Sequence, residues 1–158
     1  MIPFYLLLIA QMAFLVTGLA GVRYLQGYDR STSAALALMF LFTGVTHFTP
    51  MKAEYLAMIP EPFPRDIWMI YLSGAFEISG AIGLLVPSLR RWAAIGLFLL
   101  VLALTPANIH AAINDIPFNN RPATALWLRI PVQIVFLSML AFVAWSARRS
   151  LVVIRRSE

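Results

Sequence analysis

The sequence contains no cysteine. Disulfide cross-links, thiol–disulfide exchange, Cys-ligated zinc and iron–sulfur ligation are therefore excluded for the chain acting alone. Charge is scarce as well: 12 Lys and Arg with 7 Asp and Glu make up 12% of 158 residues. Soluble domains carry about a quarter. There are two histidines, fewer than the three or four protein ligands that zinc normally takes. No phosphate-binding glycine loop, nucleophile elbow or HExxH helix interrupts the chain.

Apolar residues are abundant. They form 61% of the sequence, and the mean hydropathy is +0.81. Such a chain cannot clothe its own surface in polar groups, so lipid must be the solvent for much of it. A hydrocarbon core about 30 Å thick is crossed by about 20 helical residues. The length leaves room for four to six crossings with short connections and no separate soluble domain. The net charge of +5 comes mostly from arginines flanking apolar runs, which the positive-inside rule explains without invoking nucleic acid.

Five apolar runs predict five transmembrane helices, over residues 2–22, 33–48, 67–86, 92–113 and 123–147. The first has no basic segment before it, which favours a retained helix over a cleaved signal. Ser and Thr at the start of the second read as helix caps. A proline-rich outer loop, 49–66, holds Pro50, Pro60, Pro62 and Pro64. Within it a short interfacial helix is expected, with Thr49 as N-cap and Pro50 at the first helical position. With the N-terminus outside, the inner segments hold Arg23, Arg30, Arg90, Arg91, Arg148, Arg149, Arg155 and Arg156, against Lys52, Arg65 and Arg121 outside. That bias predicts an all-α, multi-pass bundle, N-out and C-in, forming one domain over 1–158. A four-crossing chain with an interfacial first run is the weaker alternative.

Polar groups inside apolar runs are informative because each needs a partner or a task. Glu77 lies about ten residues into the third run, with Ser73, Gly74, Gly80 and Ala81 spaced around it as a small-residue strip. Such strips let helices pack closely, so Glu77 should point into the bundle. It either clamps neighbouring helices or handles a proton. Arg129 on the fifth run is the expected partner, with Gln133 one turn deeper completing the network; the bland reading has Arg129 reaching the outer headgroups. His47 and His110 fall near the outer ends of the second and fourth runs. Histidine titrates near neutral pH and ligates haem, but an interfacial hydrogen-bonded histidine is the simpler account and bis-histidine haem the lesser one. Asn108 shares a face with His110 only if Pro106 distorts the turn. Gln11, with Gly18 and Gly21 beyond it, reads as a packing face. Trp68, Tyr71, Trp92, Trp127 and Trp145 sit near the ends of runs, as interfacial belts do.

The order Gly74-x-x-Glu77, Gly83-Leu84-Leu85-x-Pro87, Arg90-Arg91 and Pro106-Ala107-Asn108-Ile109 resembles the DoxX-like membrane proteins. Gly44-x-x-His47-Phe48, followed by a proline-rich linker, resembles that family's preceding segment. The likeness covers about residues 42–113. It implies a four-helix core in a bacterial-type cytoplasmic membrane and association with membrane redox systems, with His47, Glu77 and Asn108 as the positions it singles out. Relatives that act as assembly factors leave a non-catalytic scaffolding role open, and a transporter is disfavoured because no inverted repeat is visible. The absence of cysteine argues against a dithiol mechanism.

The expectation is therefore a redox subunit binding a quinone or similar apolar ligand within the bundle. Glu77, His47 and His110 would exchange protons, and Asn108, Arg129 and Gln133 would contact the ligand. No metal is assigned. A further membrane or periplasmic redox protein, or a second copy, is the partner expected besides the bilayer.

Overall fold

A computed structural model describes residues 1–61, 63–118 and 121–156, with side chains as far as 147. The arginine side chains of the C-terminal tail, Pro62 of the linker, and Asn119 and Asn120 thus lie outside the described residues. Among those described the regular secondary structure is helical, apart from an isolated bridge between Phe118 and Arg121.

Helix α1 (Ile2–Leu19) has Pro3 in its first turn, where a missing N–H costs nothing. Gly21 and Gly27, both at positive φ, flank a 3-10 turn at Arg23–Leu25 and reverse the chain into α2 (Tyr28–Thr46). Helix α2 begins five residues ahead of the expected start. Ser31, Thr32 and Ser33 are not caps. They lie buried inside the helix, where Thr32 and Ser33 donate to the carbonyls four residues back and Ser31 donates to Leu25. A hydroxyl in mid-helix hides its hydrogen in this way where no water is at hand.

The short α3 (Lys52–Met58) starts two residues later than expected, with Met51 as its N-cap. Thr49 and Pro50 form the turn ahead of it. Helix α4 spans Ile67–Leu85. The fourth run is split into α5 (Arg90–Ala103) and α6 (Thr105–Ile113) at Leu104, because Pro106 has no N–H to give the preceding turn. Helix α7 (Leu126–Arg156) runs through Pro131.

Helix α2 packs against α4 and α1, and α5 packs against α7 and α4. Their shared core is built from Leu7, Leu36, Met39, Leu84, Leu97, Leu140 and Val143, none of them more than 2% exposed. The perimeter is apolar too: Ile9, Leu19, Phe76, Leu99 and Ile134 are all exposed. Four helical stretches, α1, α4, α5 with α6, and α7, are long and apolar enough to cross a membrane. The chain is thus a helical bundle with the surface of a membrane protein. Helix α2 falls outside those four, although it is the most deeply enclosed helix. Its small and hydroxylated residues face protein, so it needs less apolarity than a helix facing lipid.

Candidate functional site

Two facing segments with the same spacing build the site. Gly44-Val45-Thr46-His47 ends α2, and Gly74-Ala75-Phe76-Glu77 lies midway along the antiparallel α4. Each glycine receives the other segment. A Cβ on Gly74 would stand 2.6 Å from the His47 Cβ, and one on Gly44 would stand 3.1 Å from the Glu77 Cβ. Removing both methyl positions lets the backbones close until the two polar side chains meet. Helix α2 therefore ends against the middle of α4, and His47, expected at an interface, is buried.

Glu77 is 6% exposed and its Oε1 lies 3.5 Å from His47 Nε2. The Thr43 hydroxyl, one turn before His47, donates to Glu77 Oε2 at 2.5 Å. On the far side of the imidazole, Nδ1 lies 3.1 Å from the Ile70 carbonyl and 3.1 Å from Ser73 Oγ. A carbonyl only accepts, so Nδ1 carries a hydrogen. Nε2 then faces Oε1, and the two form an ion pair when the imidazole is protonated. A carboxylate beside an imidazolium leaves no unpaired charge in the core, whereas either group charged alone would.

Helix α3 closes the site. The Tyr55 ring stacks on His47, with centroids 4.1 Å apart and planes 14° from parallel. Its hydroxyl lies 2.7 Å from Thr46 Oγ1. Burial pushes the Tyr55 phenol up to about 12; the Thr46 hydrogen bond opposes this, and the negative charges of Glu77 and Glu54 add to it. The phenol therefore stays protonated at any physiological pH. Phe118 packs edge-on to Tyr55, and Lys52 Nζ donates to the Tyr71 hydroxyl at 3.0 Å, pinning α3 to α4.

The other sequence-selected residues lie elsewhere. The expected Arg129–Glu77 pair does not form: α4 packs on α2 and α5, whereas α7 packs on α5, α2 and α6. Arg129 instead donates to the Thr124 carbonyl at 2.9 Å and to Asn108 Oδ1 at 3.3 Å, joining the start of α7 to α6. Gln133, buried, donates to the Val101 carbonyl at 3.1 Å and to Thr105 Oγ1 at 2.5 Å. It braces the α5–α6 break. His110 Nδ1 lies 3.1 Å from the Met58 carbonyl, so His110 holds the end of α3. Asn108 Nδ2 donates to the Leu104 carbonyl.

Sequence reasoning left Thr43, Ser73 and Tyr55 out of the site. The repeated Gly-x-x-polar spacing of 44–47 and 74–77 was the available signal for the His47–Glu77 pairing. The small-residue strip is used internally, with Gly74 seated on α2 while Gly80 meets Leu97 and Gly83 meets Ala93 of α5. Two clefts open on the perimeter, one between α1, α2 and α4 and one between α5 and α7; neither is lined by Glu77 or His47. Among the described residues no three potential His, Asp or Glu ligands gather together.

No curated protein and no solved structure matches the chain. A family model does match, over residues 36–148, from the middle of α2 into α7, and the chain belongs to that family, the Domain of unknown function (DUF8561).

Proposed function

We propose that this protein is a small membrane subunit of a redox system, in which the Glu77–His47 pair exchanges a proton with a quinone or similar apolar carrier. The single observation that supports the reading is a buried carboxylate facing a buried imidazole at 3.5 Å. An ionisable pair inside an apolar bundle is costly to bury, which marks it as a functional site by default. The resemblance of the Gly44–His47 and Gly74–Glu77 segments to DoxX-like proteins supports the same assignment.

The chain crosses a bacterial-type cytoplasmic membrane five times in this reading, N-out and C-in, with α2 as the fifth span. The carrier reaches the pair from the side covered by α3. Tyr55 over His47 keeps bulk water from it meanwhile. Purification from native membranes followed by extraction and chromatography tests the proposal: a co-purifying quinone is expected in the wild type and a depleted one in Glu77→Gln. No quinone in either, with Glu77→Gln fully active in its cell, would overturn it.

A non-catalytic assembly role is the second reading, favoured by the broad exposed apolar perimeter. The glycines of α4 are already occupied within the bundle, so such a partner would bind the outer faces of α1 or α7. In that case Glu77→Gln alters stability and leaves complex formation unchanged.

A further inference from the structure

The cleft between α5 and α7 has a volume of about 330 Å³. It exists because three alanines, Ala94, Ala141 and Ala144, stand where larger side chains would close the two helices together. Phe98 and Trp145 form part of its walls. Arg91, half-buried in the first turn of α5, stands at one end. Among the described residues Arg91 has no carboxylate partner, only the Trp92 ring at 5.4 Å.

Helix α7, and α5 continued by α6, are long and apolar enough to span a membrane, so the cleft opens on lipid and not on water. An occupant must be apolar along most of its length, because Ala94, Phe98, Ala141 and Ala144 offer no hydrogen bond. It must also carry an anion at one end to meet Arg91, whose planar donors suit a phosphate. Trp92 and Trp145 at the same end are both exposed, as tryptophans at headgroup depth are. We infer that the α5–α7 cleft is a binding site for one anionic phospholipid, an acyl chain lying between the helices and the phosphate on Arg91. The charge of the site selects the headgroup; the alanines admit the chain.

The site is separate from the Glu77–His47 pair, which does not line it, so the inference stands whether or not that pair handles protons. The test is native mass spectrometry of the full chain in neutral detergent, titrated with phosphatidylglycerol or with phosphatidylcholine of the same chains. One phosphatidylglycerol per chain is expected, held at least tenfold more tightly than phosphatidylcholine. Arg91→Gln should remove that preference, whereas Arg23→Gln, the same charge change in the α1–α2 turn, should keep it. Ala141→Leu, which fills the cleft and leaves Arg91 in place, should abolish the bound lipid. Equal binding of the two lipids, a preference that survives Arg91→Gln, or a dimer that excludes lipid from the cleft would each overturn the proposal. Circular dichroism of each variant confirms the fold, so loss of binding is read only on a folded chain.

Discussion

Glu77 and His47 face each other as a buried ionisable pair. If His47 is replaced by Phe, the ring shape is kept but the carboxylate loses the imidazole that faces it. Removing one member of a buried pair costs about 3–5 kcal/mol, and thermal unfolding of His47→Phe should show a loss of that order. The double variant with Glu77→Gln should recover part of it, since a neutral amide needs no counter-charge. Gln11 presents the opposite case. It is 7% exposed, and neither its amide nitrogen nor its oxygen has a partner. Burying an amide unsatisfied costs about 1–3 kcal/mol on mutational scales, so Gln11→Leu should stabilise the protein by about that amount. Unchanged or lower stability would show that the amide has a partner, such as water. Tyr55 adds a pH dependence. Its folded pKa lies above the ordinary phenol value of 10.0, at about 12. The folded state thus holds the phenolic proton more tightly than the unfolded state. Its contribution is fully present below pH 10.0 and is lost as pH rises towards about 12. Alkaline unfolding should accordingly show a component over that interval which Tyr55→Phe removes.

At the scale of helices, the α2–α4 contact sets the site, and two glycines set the contact. Gly74→Ala places a methyl 2.6 Å from the His47 Cβ, so the helices must part. Overpacking of this kind costs about 1–3 kcal/mol, and in Gly74→Ala the Glu77–His47 distance should lengthen. The readout is the loss of whatever proton exchange the wild type shows, at a stability cost shared with Gly80→Ala, whose nearest neighbour is Leu97 and not the site. Most helices were legible in the sequence because apolar runs and prolines mark them: α4 matches its expected span to within a residue, and Pro106 marks the α5–α6 break. The start of α2 was misread because serine and threonine are good caps by propensity. Here their hydroxyls bond carbonyls within the helix and beside it, a choice decided by burial against α1.

For the whole molecule, the placement of ends is the testable property. The α1–α2 turn and the end of α4 lie together, with the Tyr24 hydroxyl donating to the Leu85 carbonyl. At the opposite end α3 is tied to α6 through His110 and Met58. A chain without cysteine allows each end to be labelled by a single introduced thiol. With α2 spanning in the proposed N-out orientation, Gln26→Cys should react with a membrane-impermeant maleimide only from the cytoplasmic side and Glu61→Cys only from the outside. Labelling of both from one side would show that α2 does not cross. The tryptophans sort in the same way, Trp68 and Trp127 at the α3 end and Trp92 and Trp145 at the other.

The sequence by itself determined that the chain is helical and apolar on its surface, because composition and run length are one-dimensional quantities that the bilayer reads directly. It also marked Glu77 as a residue that must turn inwards, since a carboxylate cannot rest in hydrocarbon. Which cation or ring would meet that carboxylate was decided only by tertiary structure. Arg129 and His47 are both eligible by charge. The outcome followed from α4 packing on α2, through glycines 44 and 74, while α7 packs on α5. Pairing between helices depends on where their backbones can approach, and that is a property of two surfaces fitted together, absent from either strand of sequence read alone.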